Sequence, residues 1–315
     1  MSFPKYPETS LLAARPEIFR VKEVVATEKI HGSNFRVHFP AGMSSLDDVG
    51  FGSRDVELDP SSDVKFPLPH AVEWFRSRPE LLLRMWEVLK SYGFPDATVF
   101  GEAHGPGIKV KGVRYSEGSD PLFRVFDIMI GECFLTYDLF CEVADKMGLQ
   151  RVPEVWRGDP TQENLDALLN RPSAAASENG VDDPSNLAEG VVIRSNPLFR
   201  DVFGKWIIAK HKGAKFSEIA HAPVVKKERG GSPADAFAEA YVTEGRIANA
   251  WERLQSRGVA LTESMRDMPV LIDELVADLR KEASAEWPDG VSDKQMSGCV
   301  SRVAGPLFRK FLAQT

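Results

Sequence analysis

The sequence predicts a mixed α/β (α+β) domain over residues 1–225, followed by a smaller all-helical domain over residues 226–315. Three observations carry this expectation. Short β-branched and aromatic runs alternate with helical stretches up to about residue 210, as the strands and helices of a mixed sheet do. A charged, glycine-containing stretch, Lys226-Lys227-Glu228-Arg229-Gly230-Gly231-Ser232-Pro233, then reads as a hinge. After it almost everything fits a helical pattern. A chain of 315 residues is long enough for one sizeable domain and a smaller one.

Taken in order, the apolar, β-branched run Val21 to Thr27 reads as a strand, Lys29-Ile30-His31-Gly32-Ser33-Asn34 as a turn, and Phe35 to Phe39 as the next strand. Ala71 to Tyr92 reads as helix broken near Pro79, because proline fits the first turn of a new helix and Ser77 can cap it. Thr98 to Glu102 and Phe123 to Ile130 are again strand-like. Thr136 to Met147 reads as a helix ended by Gly148, and Gln162 to Asn170 as another. The small, polar residues 171–186 read as a surface loop. Gly190 to Arg194 and Val202 to Ala209 complete the strands. In the second domain helices are expected at Ala234 to Tyr241, Glu244 to Ser256, Ser264 to Ala285 and Asp293 to Ala313, the last opened by a capping box from Ser292 to Gln295.

With 43% hydrophobic and 27% charged residues the composition is that of an ordinary globular protein, and no apolar run approaches the ~20 residues of a membrane span. Met1 to Pro7 has neither the apolar core of a signal peptide nor the arginine-rich look of a transit peptide. Cys133, Cys141 and Cys299 lack CxxC spacing, which argues against a disulfide framework or a zinc site. The expectation is a cytoplasmic protein with no membrane partner, a monomer in preference to an oligomer. The net charge of −7 gives no general attraction to polyanions, so any nucleic-acid contact must use a local basic patch.

Five clusters place charged residues on strands or at strand ends, where a rigid scaffold can aim them into one groove. They are Lys29-Ile30-His31-Gly32-Ser33-Asn34; Ser53-Arg54; Phe100-Gly101-Glu102-Ala103-His104-Gly105 with Phe123-Arg124-Val125-Phe126-Asp127-Ile128; Glu189-Gly190-Val191-Val192-Ile193-Arg194; and Lys205-Trp206-Ile207-Ile208-Ala209-Lys210-His211-Lys212. Lys29 stands at the mouth of a glycine turn, the geometry wanted for a nucleophilic amine attacking phosphorus. A lysine reacts only as the free amine, and an unperturbed pKa near ~10.4 leaves roughly a thousandth of it deprotonated near neutral pH. Neighbouring cations and partial burial lower that pKa, each unit giving about tenfold more free amine. His38, His70, His104 and His221 lack metal-ligand spacing.

In their order and spacing over residues 20–220 these clusters resemble the covalent nucleotidyltransferases, and specifically the RNA ligase 2 family of ATP-dependent RNA ligases, which opens its site with Lys-x-His-Gly-x-Asn. The resemblance implies a ligase-type nucleotidyltransferase (adenylation) domain in residues 1–225, and the helical tail also looks like that family's C-terminal domain. It implies that Lys29 accepts AMP from ATP, that His31 assists near the leaving pyrophosphate, and that Asn34 and Glu189 serve a magnesium (or manganese) ion. Arg54 and Glu102 would contact ribose and later the substrate, Phe126 would stack on adenine, and Lys210 and Lys212 would hold the α-phosphate. Glu28 and Ile30, flanking the lysine, fall with these residues in the nucleotide site, and Arg194 and Lys205 would be further phosphate contacts. The implied activity joins a 3'-hydroxyl to a 5'-phosphate through a lysyl-AMP and an adenylylated 5' end, with a nick in duplex RNA or an RNA/DNA hybrid as substrate. DNA ligases and capping-type guanylyltransferases share the lysine chemistry, but DNA ligases usually carry aspartate where this chain has His31. Both commonly append a strand-rich OB-fold instead of a helical tail. A non-catalytic RNA-binding relative is the remaining alternative, disfavoured by the intact Lys29, Glu189, Lys210 and Lys212.

Overall fold

The computed structural model describes residues 4–54, 56–58, 68–105, 108, 112–120, 122–213, 216, 232–284 and 286–313. The chain divides into two compact units, Met1–Gly213 and Ala214–Thr315. Of the hinge expected at Lys226 to Pro233, residues 226–231 lie outside the described residues, and Ser232 and Pro233 instead cap and open the helix Pro233–Tyr241.

In the first unit, ten strands form two five-stranded sheets among the described residues. They are β1 (Ser10–Leu11), β2 (Val24–Glu28), β3 (Ser33–Phe39), β4 (Gly50–Ser53), β5 (Ala97–His104), β6 (Leu122–Ile130), β7 (Cys133–Phe134), β8 (Glu154–Gly158), β9 (Gly190–Ser195) and β10 (Ile208–Lys212). The first sheet runs β1-β10-β9-β2-β8 and the second β4-β3-β5-β6-β7. Helices α1 (Leu68–Arg76), α2 (Pro79–Ser91) and α3 (Tyr137–Met147) accompany the second sheet; α4 (Gln162–Asp166) and α5 (Ala174–Ser177) are short.

Strand alternation gives the first sheet two different faces. Val24, Ala26, Val191, Ile193 and Ala209 pack with Leu12, Ile18, Leu165 and Leu168 into one core. The alternate residues, Val25, Thr27, Val192, Arg194, Ile208 and Lys210, look the other way, since each is matched across the ladder with a member of the same set. Val25 joins a second core built from Phe35, Val37, Phe39, Val99, Val125 and α1–α3. Buried Arg194 crosses to the second sheet, donating to Asp127 at 2.7 Å and to the Leu135 carbonyl at 3.2 Å. The inner face of the first sheet therefore looks onto the second, and Arg194 and Lys210 lie on that face.

Several expected elements are revised. The break at Pro79 is present, but Ser77 does not cap α2; the capping position is Arg78, and the Ser77 hydroxyl donates to the Trp74 carbonyl. The segment 171–186 is not simply a surface loop, because α5 lies inside it with Ala175 and Ala176 fully buried. The strand expected from Val202 starts only at Ile208. Residues 201–205 instead form a turn closed by Asp201, whose carboxylate accepts from the Phe203 and Lys205 amides, and Val202 is 93% exposed. β8 lies in a stretch for which the sequence pattern predicts no strand.

The second unit has its own core. Helices α6 (Pro233–Tyr241), α7 (Glu244–Ser256), α8 (Met268–Glu282) and α9 (Asp293–Leu312) enclose Phe237, Trp251, Leu275, Met296 and Phe308. The capping box from Ser292 to Gln295 opens α9 as expected. Fully buried Arg246 is ion-paired with Asp278 and with Glu282 at 3.8 Å, so the helical core holds a paired charge instead of a bare one.

Candidate active site

Lys29 follows the last residue of β2, and its amide donates to the Gly190 carbonyl at 2.9 Å, so the nucleophile candidate is tied to the start of β9. Glu189 immediately precedes that strand, and Lys212 ends β10 opposite Gly190. Three adjacent strand ends thus meet at one end of the sheet. Gly190 permits it: a Cβ there would lie 2.1 Å from the His211 carbonyl oxygen, and its φ is +153°. On the other side of the turn, a Cβ on Gly32 would lie 2.3 Å from the Ala103 carbonyl, so only glycine lets the turn rest against β5.

The buried carboxylate of Glu189 is the hub. It accepts from the Lys29 amine at 2.9 Å and lies 3.1 Å from His31 Nδ1 and 3.4 Å from Lys212 Nζ. Burial alone would raise the Glu189 pKa, but the Lys29 and Lys212 charges and the His31 contact outweigh it and hold the acid well below its ordinary range. Lys29 moves downward from the ordinary lysine value. Desolvation is the largest cause and the Lys212 charge adds to it, against the opposing pull of Glu189 and Glu102. The site therefore raises the free-amine fraction of Lys29 beside a carboxylate that stays ionised.

The supports lie outside the motifs. The His31 backbone N–H donates to the Tyr115 hydroxyl at 2.7 Å, fixing the turn. Glu28 is one residue out of phase with Lys29, and its carboxylate accepts from Ser173 Oγ at 2.6 Å and the Ala175 amide at 3.0 Å. Fully buried Arg124 holds the same helix through the Ala175 carbonyl at 3.1 Å and an ion pair with Glu178. These contacts explain why a stretch read as loop is ordered. Neither Tyr115 nor α5 carries a sequence pattern that singles it out, whereas Glu189-Gly190 is visible as a charged residue next to a glycine at a strand start.

Lys29, His31, Glu189 and Lys212 are brought together directly. Lys210 shares the Lys212 face of β10 and is half-buried opposite Val192. Asn34 on β3 faces Glu102 on β5 across the ladder, and Glu102 is close enough for its charge to act on Lys29. Asn34 Oδ1 is buried and has no hydrogen-bond partner among the described residues. Ile30 is buried beside the turn. Phe126 is the extra residue of a β-bulge between Phe100 and Gly101 and is half-buried, its ring against Tyr6. Arg54 is exposed at the end of β4, Lys205 is exposed in the 201–205 turn, and Arg194 is spent on the inter-sheet pair with Asp127 instead of facing outward as a phosphate contact. Among the described residues no three His, Cys, Asp or Glu side chains cluster as a ready-made metal cage.

A family model described as RNA ligase matches residues 22–211. No curated protein matches the chain. Among solved structures the chain is similar to Naegleria gruberi RNA ligase, in a variant with ATP and Mn and in a form with PPi; each comparison gives a TM-score of 0.48 and 18% identity. These comparisons cover 68% of this chain, which spans 57% of the length of the Naegleria chains.

Proposed function

The chain belongs to the RNA ligase family, and from that premise we propose that it is an ATP-dependent RNA ligase acting through a lysyl-AMP intermediate. The observation that supports this reading most is the half-buried amine of Lys29 held against Glu189 with Lys212 beside it. In the first step Lys29 Nζ, having lost its ammonium proton to solvent, attacks the α-phosphorus of ATP and sheds a second proton to solvent as the phosphoramidate forms. A P–N bond forms as the bond from Pα to the bridging oxygen breaks, and pyrophosphate leaves. Lys210 and Lys212 share the face from which negative charge on the non-bridging oxygens would be met, and fixed cations do this without reorganising. His31 would stand near the leaving pyrophosphate. In the second step the 5'-phosphate of a strand displaces lysine, and in the third the 3'-hydroxyl of the adjoining strand displaces AMP.

Divalent-metal dependence belongs to the same proposal. The orphaned Asn34 Oδ1 and the Glu189 carboxylate are hard oxygen donors suited to magnesium, an ion that keeps several waters and takes few protein ligands. It would supply charge neutralisation at the phosphates. The preferred substrate is a nick in duplex RNA or an RNA/DNA hybrid, and the helical unit is the part proposed to grip strand ends.

The test is to incubate the protein with magnesium and ATP labelled at the α-phosphate. The expected result is an acid-labile protein adduct that is lost in Lys29→Ala. A protein that takes no label, or a Lys29→Ala variant that still does, overturns the covalent mechanism. Chasing the labelled protein with matched RNA and DNA nicks reads the substrate, and replacing ATP by GTP separates ligation from capping chemistry.

A further inference from the structure

The segment ahead of β1 does more than lead into the fold. Leu11 pairs with Lys210 at the edge of the first sheet, while five residues earlier Tyr6 packs on the second. The Tyr6 ring meets Phe126 edge-to-face at 4.8 Å, and it also touches Phe100 at 5.2 Å and Phe134 at 5.4 Å. Its hydroxyl donates to Asp127 Oδ2 at 3.2 Å, the same oxygen that receives Arg194. Buried Arg36 donates to the carbonyl of Pro4. An irregular segment is thus held by two buried charged side chains inside the groove between the sheets.

Phe126 needs such a partner. A bulge re-aims its extra residue and takes it out of the ladder, so neighbours outside the ladder must set the ring's orientation. We propose that Tyr6 is a positioning residue of the nucleotide site: it backs Phe126 and completes the aromatic wall against which the purine of ATP is held. This rests on the reading of Phe126 as the base-stacking residue in the proposed function. The triphosphate is met elsewhere, by the lysines at the strand ends, so Tyr6 acts on recognition of the base and not on the phosphates.

The experiment compares the full chain with Tyr6→Ala and Tyr6→Phe by calorimetric binding of two probes, ATP without magnesium and inorganic tripolyphosphate, alongside thermal melting. Losing one aromatic contact of this kind is expected to weaken ATP binding about tenfold in Tyr6→Ala. Tripolyphosphate binding should stay within about twofold, and Tyr6→Phe should recover most of the ATP affinity because the ring is retained. In the labelling reaction the change should fall on KM for ATP and not on kcat. Equal weakening of both probes, or no change in either, overturns the proposal. If Tyr6→Ala does not fold, Tyr6→Leu keeps bulk without the ring and is read in the same way. Binding does not require Lys29 to be adenylated, so a wild type that binds ATP but takes no label sinks the covalent reading and leaves this one standing. A wild type that binds no ATP sinks both.

Discussion

A lysine 2.9 Å from a carboxylate would ordinarily be pinned as an ammonium ion, yet Lys29 is shifted towards the free amine. Its burial removes the water that stabilises the charge, and Lys212, competing for the same carboxylate, adds repulsion. The labelling rate should therefore rise with pH through a lysine pKa lying below 10.5. In Lys212→Met one repelling charge is gone, the Lys29 pKa rises, and the pH–rate profile should move to higher pH. A Lys212 that only binds phosphate would cost rate without moving the profile. His104 supplies the other test at this scale. Fully buried, with Nδ1 donating to the Glu102 carbonyl, it is pushed down to about 4 by desolvation. Between pH 6.5 and 4 the unfolded chain binds a proton that the folded one refuses, so stability falls as pH falls, by about 3 kcal/mol from this residue. Urea melts at pH 7 and pH 4.5 should show a shallower pH dependence in His104→Leu than in the wild type.

Among the elements, the meeting of β9 and β10 decides whether the site assembles. Gly190→Ala would press a methyl group into the His211 carbonyl, forcing the strands apart at the point that sets Glu189 against Lys212. We expect a loss of roughly 1–3 kcal/mol of stability together with a larger fall in labelling, read by denaturant melts and the α-phosphate assay. Strands of this kind are legible from sequence because alternation and β-branching reflect burial directly, as in β2, β3, β5, β6 and β9. The misread elements show where that logic fails. Glu154–Gly158 is partly exposed along its length and offers no clean alternation, so its sequence does not predict β8. Val202 and Phe203 look like strand interior yet stand in solvent, because the Asp201 carboxylate captures two following amides and closes a turn. Charged site residues could be read beside their strands. Tyr115 and Tyr6 could not, since each acts across a long sequence separation from an irregular segment.

At the level of the whole molecule, the first unit's two cores and the helical core at Phe237 to Phe308 share no residue among the described residues. A fragment ending at residue 225 is therefore expected to fold and to take label from α-labelled ATP at a rate within about threefold of the full chain, since Lys29, His31, Glu189 and Lys212 all lie in the first unit. The same fragment should seal nicks poorly if the helical unit grips strand ends; equal sealing by the fragment would remove that role. Among the described residues no helix is long and apolar enough to cross a membrane.

The alternation in β10 also limits how a descendant of this chain can change in length. Lys210 and Lys212 have one parity, while His211, bonded to Asp166 at 2.7 Å on the far side of the sheet, has the other. Deleting one residue within the strand would exchange the two sets, putting an imidazole where the amines stand and burying the amines against the opposite core. Length changes in this hairpin are thus confined to the 197–206 turn, where an added or lost residue leaves the parity of everything after Ile208 untouched.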